Sequence, residues 1–225
     1  MNKVHTCPLC ASVTADLWHT ATHRPLVGRE YWRCGQCELV FVPAVFHWDA
    51  TAEQAIYQQH DNRPDDPGYR RFLARAAEPV LRLMPPAAQG LDFGCGPGPT
   101  LSLMLEEAGL TCLNYDLYFD PEAARLQQQY DFITSTEVFE HLSQPYAVLK
   151  QLLGCLKPNG LLVVMTQRPR DQAAFQRWHY LMDPTHISFF SEASFAWIAA
   201  HFGLELLEVH RDVIVLRRPA QQPPD

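Results

Sequence analysis

The stretch at residues 91–98, Leu-Asp-Phe-Gly-Cys-Gly-Pro-Gly, constrains the fold of this chain more than any other. Gly94, Gly96 and Gly98 alternate directly after a short apolar run, which predicts a buried strand, a tight turn and a helix starting near Pro99. Such a turn lets backbone amides approach a ligand, and the helix N-terminus attracts negative charge. Because open α/β sheets bind ligands at the carboxyl ends of their strands, the stretch predicts a site for a nucleotide-like cofactor.

Two other kinds of glycine-rich site fit this stretch less well. The dinucleotide fingerprint G-x-G-x-x-G requires a glycine where this chain has Pro99, and a Walker loop requires a Gly-Lys-Ser/Thr ending that is absent here. A structural turn without a ligand remains an alternative at this point. The pattern Asp-x-Gly-x-Gly-x-Gly, which begins at Asp92, resembles the first motif of class I S-adenosylmethionine-dependent methyltransferases.

Later segments follow in the order that the motifs of this family take. Residues 111–115 predict a second strand that ends directly before Asp116, and residues 130–134 predict another that runs into Glu-Val-Phe-Glu-His-Leu at 137–142. An amphipathic helix from Pro145, a turn at 156–160 and an apolar strand at 161–166, buried on both faces, complete the series. The chain is therefore similar to the family in motif order as well as in motif residues.

The resemblance implies a fold that binds S-adenosylmethionine and a methyl transfer by in-line displacement, which needs proximity and alignment above all. Asp116 is placed to accept hydrogen bonds from the ribose hydroxyls, although an ordinary turn cap is the alternative interpretation. The glycine turn would hold the methionine end, and the main chain near Thr136 would lie beside the sulfonium. The predicted cofactor residues are Asp92, Phe93, Gly94, Cys95, Gly96, Gly98, Asp116, Leu117, Tyr118, Thr136 and Glu137.

One segment departs from the family pattern. The stretch between Asp116 and Asp131 is too short for the usual helix, third strand and adenine-contacting acid, so the third strand is doubtful. No acid for the adenine is visible there. Tyr118 or Phe119 is the substitute that we expect to cover the adenine face.

Residues 175–190 are dense in aromatic side chains, histidines and turn formers, and they occupy the place where the family inserts substrate-facing residues. We expect this segment to form a wall of the acceptor site. His179 and His186 are the candidate general bases, because imidazole titrates near neutral pH. A base is required only if the acceptor carries its proton at neutral pH, and a structural, hydrogen-bonded histidine is the alternative for each.

The remaining pattern predicts an α/β protein with a Rossmann-like methyltransferase sheet, an antiparallel last strand and a small N-terminal zinc-binding module. Ser191 and Gly203 bound a predicted helix, and residues 204–210 and 213–218 predict the closing hairpin. Helices are also predicted at 51–60 and from Tyr69 onward, where Pro79 should kink the helix or end its first part. The predicted division is a zinc-ribbon-like module at 1–42, a linker and helical region at 43–68, the methyltransferase domain at 69–218 and a disordered tail at 219–225.

Two C-x-x-C pairs, Cys7 with Cys10 and Cys34 with Cys37, predict the zinc site. Two such pairs supply four thiolates, which complete a tetrahedral shell that suits structural Zn²⁺ and leaves no position open for catalysis. The segment between the pairs has few long apolar runs, so a metal crosslink would help it to fold. Four unrelated buried cysteines and a redox pair are the alternatives.

The 225 residues carry a formal net charge of -7, which favours a small-molecule methyl acceptor over nucleic acid without excluding RNA. We also expect a cytoplasmic protein, because the sequence shows neither a membrane-length apolar run nor a signal-peptide core. One alternative is a ribosomal-RNA or other RNA methyltransferase that binds RNA through the ribbon. A second is a catalytically inactive methyltransferase fold that binds a partner. The oligomeric state is left open.

Overall fold

A six-stranded sheet forms the centre of the structure, a computed structural model that describes residues 4–59 and 62–220. In spatial order its strands are Thr111–Tyr115 (β5), Gln89–Phe93 (β4), Tyr130–Thr136 (β6), Leu156–Met165 (β7), Val213–Arg217 (β10) and Glu205–His210 (β9). Strands β4 to β7 are parallel, and β10 pairs antiparallel with both β7 and β9. The predicted fold class is therefore confirmed.

Helices cover both faces of this sheet. Pro67–Leu83 (α2) and Thr100–Glu107 (α3) pack on one face, and Pro145–Gly154 (α4) and Glu192–Phe202 (α6) pack on the other. Strand β7 contributes to both cores, because its buried side chains alternate between the two faces. The expected apolar strand with two buried faces is thus confirmed, as is usual for a parallel sheet between helical layers.

Two predicted boundaries, at Pro79 and at residue 161, differ from the structure. Helix α2 continues through Pro79, so the predicted end of its first part is wrong, whereas the alternative, a kink, stays a prediction. Burial of Leu73, Ala76 and Val80 against the sheet outweighs the roughly 3 kcal/mol that an internal proline costs. Strand β7 begins at Leu156, inside the predicted turn. Asn159, at a positive φ of 64°, lies in an irregularity within this strand.

The third strand of the family pattern, which the sequence makes doubtful, is missing. Residues 116–129, all of which the structure describes, contain an isolated bridge between Asp116 and Asp120 and a 3₁₀ helix at Ala123–Gln127, but no strand. Strand β5 is therefore the edge of the sheet. The departure from the family pattern that the sequence indicates is confirmed.

A second, four-stranded sheet joins the N-terminal segment to the C-terminal half of the chain. Ala15–Thr20 (β1), Glu30–Cys34 (β2) and Val40–Phe41 (β3) pair antiparallel, and β3 pairs in turn with Ser188–Phe189 (β8). The N-terminal segment is therefore docked on the C-terminal half of the chain through backbone hydrogen bonds. The folding of 1–42 and 69–218 as separate domains stays a prediction.

Two further α-helices are short, Ala50–Tyr57 (α1) in the predicted linker region and Gln172–Phe175 (α5) after β7. Further 3₁₀ helices are found at Ala44–Phe46, Phe139–His141 and His179–Met182. Residue 60, the predicted end of α1, and residues 221–225 of the predicted disordered tail lie outside the described residues. Within the described chain, every helix is too short or too polar to cross a membrane.

Candidate active site

A cavity of about 880 Å³ opens at the carboxyl ends of β4, β5 and β6, where the sequence places the cofactor. The strand ends and the loops after them supply one part of its wall, α1 and α2 supply a second, and the 183–186 loop supplies a third. Its lining residues include Glu53, Tyr57, Gln59, Asn62, Tyr69, Phe72, Phe93, Gly94, Cys95, Gly96, Tyr115, Asp116, Leu117, Tyr118, Phe119, Thr136, Glu137, His141, Asp183 and His186.

The glycine turn after β4 needs a glycine at its first position. Gly94 has a positive φ of 81°, and a Cβ there would lie 2.2 Å from a methyl carbon of Val138. The Gly94 amide donates to the Tyr115 carbonyl at 2.7 Å, which ties the turn to the end of β5. The turn is therefore held against the two loops that flank the cavity, with its backbone at the surface.

Asp116 binds the same turn from β5. One of its carboxylate oxygens accepts from the Gly96 amide at 3.0 Å, and the other accepts from the Tyr118 and Phe119 amides at 2.8 and 3.1 Å. The side chain thus caps its own loop, as the alternative interpretation expects, and also lines the cavity. Because a carboxylate has about four lone-pair sites, capping leaves acceptor capacity for a ligand hydroxyl.

Two residues of the predicted cofactor set lie outside the cavity wall. Asp92 is 2% exposed and accepts from the Thr134 hydroxyl at 2.8 Å, and burial raises its pKa to about 7. Gly98 faces the segment before α2, because a Cβ there would lie 1.9 Å from the Asn62 carbonyl oxygen. Their role as cofactor contacts stays a prediction, whereas the other nine predicted residues line the cavity.

The predicted linker region supplies cavity residues that the sequence analysis does not single out. Glu53 and Tyr57 of α1, together with Gln59 and Asn62 after it, form one wall. The Tyr118 hydroxyl lies 3.4 Å from a carboxylate oxygen of Glu53 and links this wall to the loop after β5. The available signal is a single aromatic residue, Tyr57, at the end of a short helix, and it becomes meaningful only when the fold brings α1 over the sheet.

A buried acidic group lies where β6 ends. Glu140 is fully buried and accepts from Thr166 at 2.8 Å and from the Tyr180 hydroxyl. Glu137 adopts a positive φ of 52°, and one of its oxygens lies 3.2 Å from the Tyr180 hydroxyl oxygen, which donates to Glu140. Its other oxygen is buried and accepts no hydrogen bond from the described residues. Burial, and then the nearby Glu140, raise the pKa of Glu137 to about 8.

Two histidines meet beside this acidic group, with ring centroids 4.8 Å apart. His186 donates from Nδ1 to the Tyr180 carbonyl at 2.7 Å, and Nδ1 of His141 lies 3.2 Å from the Thr185 carbonyl. Because a carbonyl only accepts, the neutral His186 ring carries its proton on Nδ1 and its lone pair on Nε2. Nε2 lies 3.8 Å from a carboxylate oxygen of Asp183.

The surroundings keep His186 neutral. Burial first, and then His141, lower its pKa below 6.5, although Glu140 and Asp183 act in the opposite direction. The ring can therefore accept a proton at neutral pH. His179, the other histidine that the sequence suggests as a base, is exposed and does not line the cavity, so the structure does not bring it together with His186 there.

Two clusters offer donor atoms that could hold a metal ion. Glu140, His141 and His186 place ligand atoms within 4.8 Å of one another inside the cavity wall. The second cluster contains all four cysteines of the C-x-x-C pairs, also within 4.8 Å of one another.

The four cysteines fit a zinc ion well. The Sγ atoms of Cys7 and Cys37 are 3.5 Å apart, and those of Cys10 and Cys34 are 3.4 Å apart. Four thiolates at about 2.3 Å from a tetrahedral Zn²⁺ require a similar spacing of just under 4 Å. We therefore propose that this cluster holds a structural zinc ion.

Comparison with known proteins agrees with this geometry. The chain matches the methyltransferase domain family over residues 63–209. Ubiquinone biosynthesis O-methyltransferase of Klebsiella pneumoniae is 31% identical over 77 residues, which cover 34% of this chain and 32% of that protein. The protein of the same name from Salmonella paratyphi A is 32% identical over 71 residues, which cover 32% of this chain and 29% of that protein. The chain thus spans about a third of the length of these curated relatives.

Solved structures share the fold. The 1,6-didemethyltoxoflavin-N1-methyltransferase of Burkholderia thailandensis, with bound 1,6-didemethyltoxoflavin and S-adenosylhomocysteine, has a TM-score of 0.55 at 16% identity, covering 81% of this chain and 96% of that one. Magnesium protoporphyrin IX methyltransferase of Synechocystis PCC 6803, with bound S-adenosylhomocysteine, has a TM-score of 0.52 at 15% identity. The match covers 75% of this chain and 94% of that one. At such identities the likeness establishes the fold alone.

The family match contains the glycine turn, Asp116, the acidic group after β6 and His186, and it extends over more than half of the chain. The sheet order agrees with the same assignment. The chain therefore belongs to the methyltransferase domain family and has the fold of the class I S-adenosylmethionine-dependent methyltransferases.

Proposed function

We propose that this protein transfers a methyl group from S-adenosylmethionine to a small-molecule acceptor. One observation supports the proposal: a single cavity is lined by the glycine turn and Asp116 and also by Asp183 and His186. Its volume of about 880 Å³ falls within the roughly 300–1,000 Å³ of ligand sites. A shared space of this kind supports direct, in-line group transfer, which depends on alignment of the reacting atoms.

The cofactor half of the cavity comprises residues 93–97 and 115–119. The backbone of Gly94 and Gly96 would hold the methionine end, and Asp116 would accept from the ribose hydroxyls. With no third strand beside β5, Leu117, Tyr118 and Phe119 would cover the adenine. S-adenosylmethionine supplies a methyl group activated by a positively charged sulfur. Glu137 also lines the cavity, and its carboxylate would lie near that charge.

The charges around the cavity limit the acceptor. Glu53, Asp116 and Asp183 line it, with Glu137 as a further carboxyl that ionises only near pH 8, and no lysine or arginine does so among the described residues. Phosphorylated and other anionic acceptors would bring like charges together, whereas uncharged or cationic ones would not. This argument also disfavours the RNA alternative, because RNA binding requires basic residues along the phosphate backbone.

The acceptor half comprises His141, Asp183 and His186, with Tyr57 beside them and Glu137 at the junction with the cofactor half. We propose that His186 removes the acceptor proton through Nε2 while the Tyr180 carbonyl holds the ring through Nδ1, and that Asp183 stabilises the imidazolium that results. This arrangement suits an acceptor with an acidic hydroxyl on an aromatic ring. Tyr57 would pack against the face of that ring. The relatives named as O-methyltransferases support a hydroxyl acceptor.

Calorimetry and an acceptor screen test this proposal together. The wild-type protein should bind S-adenosylmethionine, and Asp116→Ala should weaken binding by about 1–3 kcal/mol, the scale of lost charge-assisted hydrogen bonds. Asp120→Ala is the matched control, because that carboxylate pairs with Arg125 at 2.5 Å and does not line the cavity.

The screen compares phenols and amines with their phosphorylated or carboxylated analogues and measures release of S-adenosylhomocysteine. We expect turnover only with the uncharged or cationic members. A protein that binds no cofactor would support the inactive-fold alternative. Turnover of RNA, with steep salt dependence, would overturn the small-molecule assignment.

A further inference from the structure

Arg29 links the N-terminal segment to the acceptor half of the cavity. We call residues 4–42 the cysteine module, and Arg29 lies directly before its strand β2. Its side chain donates from Nη1 to the Pro184 carbonyl at 2.7 Å and from Nη2 to the His186 carbonyl at 2.6 Å. Both carbonyls belong to the loop that carries the proposed base.

Burial of the Arg29 side chain has a high free-energy cost. This side chain is only 3% exposed, and burial lowers the pKa of its guanidinium. An apolar side chain of similar volume would pack there without the cost of removing a charge from water. What a guanidinium adds is a planar pair of donors that fixes two acceptors at once.

The two bonds determine how the loop orients His186 and how it contacts His141. The carbonyls on either side of Thr185 point to Arg29, and the Thr185 carbonyl lies 3.2 Å from Nδ1 of His141 instead. His186, whose own carbonyl is held by Arg29, carries the ring that donates to Tyr180. The guanidinium thus fixes the backbone from which both imidazoles take their orientation.

The rest of the cysteine module supports the same loop. The Val42 amide donates to the Ile187 carbonyl at 2.9 Å, and β3 pairs with β8 immediately afterwards. Tyr31 of β2 packs against Phe175 and Phe189, with ring centroids 5.4 and 5.8 Å away. The module therefore contacts the acceptor loop from behind, while the cofactor half receives none of these contacts.

We propose that Arg29 is a positioning residue for methyl transfer, which holds the 183–186 loop so that His186 meets the acceptor in the correct orientation. This inference rests on the proposed function. It assigns to the cysteine module the support of the acceptor wall, in place of the RNA binding that the sequence leaves open.

Kinetics of Arg29→Lys test the inference. Lysine keeps the charge but has no planar pair of donors, so kcat should fall by about 10- to 100-fold, as for a slightly misplaced reacting group. The dissociation constant of S-adenosylmethionine should stay within about twofold, because the cofactor half does not touch Arg29. The matched control is Arg33→Lys, an arginine of the same module that forms an ion pair with Glu38 at 2.8 Å.

Nuclear magnetic resonance of ¹⁵N-labelled histidine provides a readout that does not depend on turnover. His186, assigned with His186→Gln, should carry its proton on Nδ1 in the wild type and in Arg33→Lys. In Arg29→Lys it should become a mixture of tautomers with a changed pH titration. This measurement needs neither cofactor nor acceptor, so failure of this inference is distinguishable from failure of the proposed function.

Arg29→Met covers the case in which the lysine variant does not fold. Methionine is apolar and fills much of the same space, so the fold should persist while both donors are lost. A methionine or lysine variant that keeps the wild-type kcat and the His186 tautomer would overturn the inference. A variant that only lowers the melting temperature would do the same, since it would show a purely structural role.

Discussion

The two halves of the cavity are built in different ways. The cofactor half comes from two neighbouring strand ends, β4 and β5, whose loops bind each other through Gly94, Gly96 and Asp116. The acceptor half joins α1, the end of β6 and the 183–186 loop, and Arg29 supports it from the cysteine module. The first half is held by local contacts and the second by contacts between distant parts of the chain.

This difference indicates that cofactor binding and catalysis respond to different parts of the molecule. Changes in the cofactor half should alter affinity for S-adenosylmethionine. Changes in the acceptor half, or behind it, should reduce kcat and leave that affinity nearly unchanged. Three substitutions examine this separation.

The largest effect is expected for His186→Gln. Loss of a positioned general base should lower kcat by about 10²- to 10⁴-fold, with cofactor affinity preserved. In the wild type, kcat/KM should fall as the pH drops through a His186 pKa below 6.5, because the protonated ring cannot accept a proton. The variant should lack this acid limb, and both are measured by release of S-adenosylhomocysteine.

His179→Gln is the control for this experiment, because His179 is exposed and outside the cavity wall. It should behave like the wild type at every pH. An acid limb that survives in His186→Gln, or disappears in His179→Gln, would assign the base elsewhere.

An intermediate effect is expected for Cys34→Ser, which removes one proposed zinc ligand. Elemental analysis should show loss of zinc, and kcat should fall about tenfold as the support behind the acceptor wall loosens. Calorimetry should give unchanged cofactor affinity. Cys155→Ala is the matched control, since Cys155 is a buried cysteine outside the cluster. Equal loss of cofactor binding would show that the two halves are not independent.

The smallest effect is expected for Glu137→Gln, at the junction of the halves. The raised pKa of about 8 means that binding of a cation should draw Glu137 into its ionised form. Affinity for S-adenosylmethionine should therefore increase as the pH rises towards about 8. Affinity for S-adenosylhomocysteine, whose sulfur is uncharged, should not change over this pH range.

Calorimetry on Glu137→Gln should show that this pH dependence is lost. The preference for the sulfonium form should fall by about threefold, the equivalent of about half a pKa unit. Glu208→Gln, an exposed carboxylate that pairs with Arg82 at 2.5 Å, should keep both properties. An unchanged preference in Glu137→Gln would remove this carboxylate from the sulfonium.

The same contrast explains which features the sequence could predict. The glycine turn and Asp116 are readable because each depends on a short motif at a strand end. The roles of Tyr57 and Arg29 are not, because an aromatic residue in a short helix and an arginine before a strand gain meaning only through partners far away in the chain. The sequence also does not predict that α2 continues past Pro79, since packing on the sheet outweighs a local preference.

The pairing of β3 with β8 also has a consequence for the order of folding. It connects a strand near the N-terminus to one that leaves the ribosome after most of the chain, and Arg29 reaches across the same interval. Loops that long close late, since their entropy must be lost before any contact compensates for it. In a nascent chain the cofactor half would therefore form first and the acceptor half last. The chain would then bind S-adenosylmethionine before it could catalyse methyl transfer.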